Sequence, residues 1–157
     1  MKIILLFIGK TDETYLETGI EKFVKRLEHY IPFELKVIPD IKNRKTLSEE
    51  QQKKMEGDLI LAQLTSGDDM ILLDENGKTF TSRNYSQWLE HQLATGCKRL
   101  FFVIGGPYGF SPEVYAKAKS KISLSEMTFS HQMVRLIFVE QLYRAFTILK
   151  GEPYHHD

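Results

Sequence analysis

Apolar residues along the chain recur with two alternating periods. Ile3 to Ile8 is an unbroken apolar run of strand length, suited to a strand covered on both faces. Leu16, Ile20, Phe23, Val24, Leu27 and Ile31 then follow at helical spacing, with Thr11 or Asp12 as the expected cap. FELKVI at 33–38 reads as a second strand closed by Pro39, and IKNRKT at 41–46 as a basic loop. Ser48 and Gln51 have capping-box spacing and open a helix expected to reach about Leu64. DMILLDENG at 69–77 predicts a third strand that enters a turn at Asn76-Gly77. Ser82 is placed to cap a helix through Trp88 and Leu93 that Gly96 ends. RLFFVIGG at 99–106 is the most apolar strand, and Ser111-Pro112 opens a short helix. KISLSEM at 121–127 is a fifth, weaker strand, and His131 to Lys150 a final helix.

This alternation predicts an α/β fold with a mainly parallel sheet flanked by helices. No spacer or repeat divides the chain, so residues 1–157 are expected to form a single domain. Ligands of such sheets bind outside the carboxyl ends of the strands. Three stretches fall there: Asp74–Gly77, Gly105–Phe110 and Ser123–His131. The last helix is apolar around most of its circumference, from Val134 through Leu149. Such a helix is buried on all sides. A second copy of the chain is the simplest cover, which predicts a homodimer; wrapping by its own chain is the other solution.

Charge narrows the classes of function. The 21 basic and 21 acidic side chains cancel, which argues against a general nucleic-acid coat. Cys97 stands alone, so no internal disulfide forms and a cytoplasmic location is expected. The six apolar residues after Lys2 are too few for a signal peptide or a membrane span.

Candidate chemistry is sparse. IGGPYGF at 104–110 is neither G-x-G-x-x-G nor a Walker A loop, though Gly105 and Gly106 permit close backbone approach to a ligand. SLSEMTFSH at 123–131 can grip a flat heterocycle, with Leu124, Met127 and Phe129 as apolar walls; it can equally be a helix-entry loop capped by Ser130. Glu140–Arg144 and His131–Arg135 are i,i+4 pairs on the last helix. Pairing within an interface accounts for the first, whereas Arg135 can grip a phosphate or a base. His155-His156 has no Cys, Asp or Glu cluster at ligand spacing, so no metal is expected.

Together, ILLDENGK, FFVIGGPYGF and SLSEMTFSHQMVRLIFVEQLYRAFTILKGEPYH resemble the ribosomal RNA large subunit methyltransferase H family of SPOUT methyltransferases. The resemblance spans nearly the whole chain. It implies an S-adenosyl-L-methionine-dependent enzyme that methylates N3 of pseudouridine 1915 in helix 69 of 23S rRNA, acting on the assembled 70S ribosome. It further implies a C-terminal trefoil knot and a homodimer. Cofactor contacts carry over to Leu73, Gly105, Leu124, Ser125, Glu126, Met127, Thr128 and Phe129. Residues near the target base are His131, Arg135, Arg144, Tyr154 and His155. In this scheme His155 takes the N3 proton, Tyr154 stacks on or bonds the base, and Arg135 offsets charge on the ring carbonyls. Ser130 stands where the family often has proline, and His156 where it often has Lys or Arg. Tyr154-His155 then belongs to the site, and only His156-Asp157 reads as a tail. Two other readings share the fold: a catalytically silent ribosome-binding or assembly module, opposed by the intact cofactor loop, and a tRNA methyltransferase, opposed by the lack of an added RNA-binding domain.

Overall fold

The computed structural model describes residues 1–157. Five strands form one parallel sheet: β1 Lys2–Ile8, β2 Phe33–Ile38, β3 Asp68–Thr79, β4 Arg99–Ile104 and β5 Ser120–Ser123, in spatial order β2-β1-β4-β3-β5. The helices are α1 Thr14–Leu27, α2 Glu49–Leu61, α3 Ser82–Leu93, α4 Pro112–Lys117 and α5 Met133–Leu149. A short 3-10 turn, Arg44–Thr46, sits in the basic loop after β2.

Both faces of the sheet are covered, and the pleat assigns residues to them. Ile3, Leu5, Phe7, Leu100 and Phe102 join α1, α3 and α5 in one core. Ile4, Leu6, Phe101, Val103, Met70 and Leu72 meet α2 and α4 in the other. That is why β1 and β4 are apolar at every central position. α5 lies between α1 and α3, and none of its residues is fully exposed. Its Phe138 ring meets Phe102 of the sheet at 4.8 Å between centroids. Much of the cover expected from a partner thus comes from the chain itself. No helix is long and apolar enough to cross a membrane.

The caps differ from expectation where side chains have other partners. The Ser48–Gln51 capping box is present. Thr11 and Asp12 do not cap α1, which starts after Glu13; the Thr11 hydroxyl accepts from Arg135 and the Asp12 N–H donates to Gln132. Thr81, not Ser82, caps α3, because the Ser82 hydroxyl donates to Gln141 across to α5. Ser130 accepts from the Met133 N–H at 3.1 Å and so holds the turn before α5.

β3 does not turn at Asn76-Gly77. It runs on to Thr79, with a register shift against β5 between Leu73 and Lys78. A Cβ at Gly77 would lie 2.5 Å from the Ile122 backbone, so this glycine serves close approach of two strands. β5 stops at Ser123, and Leu124–Phe129 leaves the sheet.

Two substitutions test this packing. Phe138→Ala is expected to lower unfolding free energy by about 3–5 kcal/mol in urea titrations. Gly77→Ala is expected to separate β3 from β5, read as faster hydrogen exchange at the Ile122 amide, while Gly96→Ala leaves that amide protected.

Candidate functional site

The carboxyl ends of β3, β4 and β5 converge on a cleft of about 600 Å³. Leu73, Gly105, Leu124, Ser125, Met127, Thr128 and Phe129 line it, together with His131. Glu126 is exposed and outside the lining. Short hydrogen bonds shape the third loop. The Ser123 hydroxyl donates to the Ser125 carbonyl at 2.7 Å, and the Ser125 hydroxyl accepts from the Met127 N–H at 2.9 Å. Together they curl Ser123–Met127 at the rim and leave Met127 77% exposed. The second loop is a tight turn in which the Gly109 N–H donates to the Gly106 carbonyl at 3.1 Å. Gly109 takes φ +84°, which favours glycine.

The lining includes Asp74 and Tyr108 of the stretches expected there, and also two residues that motif reading passes over, Tyr115 and Val134. Tyr115 donates a short hydrogen bond to Asp74, and burial with this carboxylate raises its phenol to about 12. The available signal is Tyr115's place one turn into the helix that Ser111-Pro112 opens. Asp74 and Glu75 are the carboxylates of the lining, which has no Lys or Arg. The cleft therefore suits a cationic ligand with an apolar flat part better than a phosphate.

A second cavity of about 400 Å³ shares Gly105, Gly106, Pro107, Tyr108 and His131 with the first. Its other walls are mostly polar, with three basic residues, Lys10, Arg44 and Lys45, and three acidic ones, Asp12, Asp40 and Glu56.

The remaining candidates lie along α5 and beyond it. Arg135 is 1% exposed and lines neither cavity. It donates to the Ile8 carbonyl at 2.9 Å and to the Thr11 hydroxyl at 3.1 Å, with its guanidinium 4.0 Å from the Phe7 ring centroid. Burial lowers its pKa to about 10. The i,i+4 spacing of His131 and Arg135 yields no pair: His131 is exposed at the rim, and Arg135 is spent on β1.

Arg144, Tyr154 and His155 form a separate cluster around Glu140. Arg144 donates to Glu140 at 3.0 Å and Tyr154 to the same carboxylate oxygen at 2.9 Å. Arg144 also donates to His155 Nδ1 at 3.1 Å. A guanidinium only donates, so Nδ1 accepts and the neutral ring carries its proton on Nε2. That Nε2 lies 2.7 Å from Asp157, whose carboxylate lies 2.6 Å from Arg83 Nε. Asp157 is therefore tied down rather than a loose end, which corrects the tail reading. Gly151, at φ +68°, ends α5 and turns the chain back toward this cluster. From His131 to Arg144 the helix rises roughly 20 Å, so one chain does not bring the two groups together.

Comparison with known proteins assigns the chain to a family. Residues 1–155 match the family described as "Predicted SPOUT methyltransferase". The protein named ribosomal RNA large subunit methyltransferase H of Parabacteroides distasonis is 62% identical over 157 residues, all of both chains. Proteins of the same name from Christiangramia forsetii and Phocaeicola vulgatus are 62% identical over 99% of both chains and 57% identical over all of both chains. A parallel α/β sheet, a ligand cleft at its carboxyl edge and full-length similarity of this degree make the chain a member of the SPOUT methyltransferase family.

Proposed function

We propose that the chain, as one domain of residues 1–157, is an S-adenosyl-L-methionine-dependent methyltransferase of large-subunit ribosomal RNA. Its target is N3 of pseudouridine 1915 in helix 69 of 23S rRNA, within the 70S ribosome in the cytoplasm. The carrying observation is the cleft, which gathers every residue implied for the cofactor except Glu126. Relatives at 62% identity that bear the large-subunit methyltransferase name support the RNA target.

The cleft's chemistry fits the cofactor. Leu73, Leu124, Phe129 and Val134 offer apolar walls for adenine, and Asp74 sits among them for a ligand of positive charge. Bound there, S-adenosyl-L-methionine supplies an activated methyl group. The protein's task is then to place N3 in line with it and to accept the N3 proton. His155 suits the second task, since its neutral ring offers a nitrogen that can accept a proton. With Nε2–H directed at Asp157, Nδ1 is the nitrogen that takes the proton once Arg144 turns to the substrate. Tyr154 packs edge-on against Tyr143 with Arg144 over its ring, which presents an aromatic surface to the base. Arg135 acts by bracing the end of β1 under the site.

A homodimer brings these groups together. In an isologous pair, the Arg144–Tyr154–His155 cluster of one copy meets the His131 end of the other's cleft, which one chain alone leaves roughly 20 Å away. The half-buried side of α5, with Ile137, Glu140, Gln141 and Arg144, is the surface for that pairing. The trefoil knot implied by the resemblance belongs to the C-terminal half of this proposed fold.

Transfer of labelled methyl groups tests this reading. His155→Ala is expected to retain S-adenosyl-L-methionine binding in calorimetry and to lose about 100-fold or more in transfer to ribosomes. Near-normal turnover by that variant removes the proton-acceptor role. Intact 70S ribosomes are expected to be methylated, and naked 23S rRNA and tRNA not, because a chain of zero net charge has little general RNA affinity. Cofactor binding without transfer to any of these would favour a silent ribosome-binding module.

A further inference from the structure

The second cavity lies where the topology leaves a gap. β1 and β4 are neighbours, but β1 leads into α1 on one face of the sheet and β4 into α4 on the other. Diverging connections open a crevice outside the carboxyl ends of two adjacent parallel strands. Loop Ile8–Asp12 after β1, loop Asp40–Lys45 after β2, helix α2 and the strip Gly105–Tyr108 wall it.

These walls are held in place. Gln132 Nε2 donates to the Lys10 carbonyl at 3.3 Å, and Gln132 Oε1 accepts from the Asp12 N–H at 3.0 Å. Arg135 holds Ile8 and Thr11 of the same loop. Both side chains come from the start of α5, beside His131.

The floor is polar and nearly sealed. Gln52 and Glu56 are 5% and 3% exposed, and Gln52 donates to Glu56 Oε2 at 3.2 Å. Glu56 Oε1 has no hydrogen-bond partner. Unpartnered buried oxygens are uncommon and mark places where a donor is wanted. Burial pushes the Glu56 carboxyl above the ordinary range. At the mouth, Arg44 pairs with Asp40 at 3.1 Å, whereas Lys10 and Lys45 form no ion pair. Tyr108, exposed at the shared wall, offers a ring for stacking. Free cations above a buried amide and carboxyl suit a ligand with a phosphate at one end and a hydrogen-bonding heterocycle at the other. The crevice also has Asp12, Asp40 and Glu56 in its lining, so the difference from the first cleft is the presence of cations, which that cleft lacks.

We propose that this crevice receives the acceptor nucleotide, flipped out of the RNA. Lys10 and Lys45 hold its phosphate, and Gln52 and Glu56 meet the edge of its base. The strip Gly105–Tyr108 and His131 line both cavities, so the base reaches the methyl donor over this shared edge. Gly106 lets the strip pass close to Glu56, since a Cβ there would lie 2.5 Å from both Glu56 oxygens. The proposal rests on the neighbouring cleft being the methyl-donor site.

Kinetics on 70S ribosomes that lack the methyl group test it. Lys10→Ala and Lys45→Ala are each expected to raise KM for ribosomes several-fold. Each should also reduce the log–log salt slope of binding by about 1. Glu56→Gln, of equal size, is expected to lower kcat by about tenfold or more at unchanged melting temperature. All three variants should bind S-adenosyl-L-methionine with the wild-type Kd, and Lys42→Ala, on the same loop outside the crevice, should behave as wild type. Wild-type KM and kcat in all three variants overturn the crevice and leave the methyltransferase reading standing. A cofactor Kd that moves in step with kcat also overturns it. A wild-type protein that neither binds the cofactor nor methylates ribosomes overturns both readings.

Discussion

Burial of the Arg135 guanidinium is the constraint on which the site geometry depends. A charge at 1% exposure needs acceptors: the Ile8 carbonyl and the Thr11 hydroxyl take the two terminal nitrogens, while the buried Nε has no partner. The flat face of the group lies on Phe7. This arrangement pins the carboxyl end of β1 to the first turns of α5. Because α5 also follows directly from the loop Ser123–Ser130, one buried cation fixes the walls of two cavities relative to each other. Losing Arg135 leaves a buried carbonyl without its donor, whereas losing the acceptors strands a charge in the core. Both routes loosen the same corner.

Charge then divides the carboxyl edge of the sheet into two compartments. The cleft at β3, β4 and β5 has carboxylates and apolar walls, which select for a cation with a flat hydrophobic part. The crevice at β1 and β4 has lysines at its mouth and a buried carboxyl at its floor. Only the Gly105–Tyr108 strip and His131 belong to both. A transferase needs two ligands held side by side with their reacting atoms in contact, and two pockets that share an edge meet that need without a large movement.

The C-terminal cluster follows a different logic. Glu140 accepts from both Arg144 and Tyr154, Arg144 reaches His155, and Asp157 joins His155 to Arg83. Each link is partly exposed and modest by itself. In series they set the tautomer and orientation of one imidazole, which a single surface pair would not. In the proposed homodimer, the cluster's distance from the cleft of its own chain is what gives the second copy a chemical role.

Much of this was legible in the residues. Continuous apolar runs at 3–8 and 100–104 pointed to strands covered on both faces, and 33–38 was bounded by Pro39. The three loops of the cleft followed from strand ends, and a motif-level resemblance pointed to the same residues. Local chemistry was enough for these, because periodicity and caps act within a few positions. Asn76-Gly77 was read as a turn because local rules place it there, yet β5, some 45 residues later, needs that glycine for close approach. Thr11 and Asp12 looked like caps until partners more than 100 residues away claimed them. Arg135 looked like a ligand-binding arginine and is a buried brace. Glu56 carried no signal at all on an otherwise charged helix. In each of these, the deciding partner is distant in sequence, so only the folded chain could assign the role.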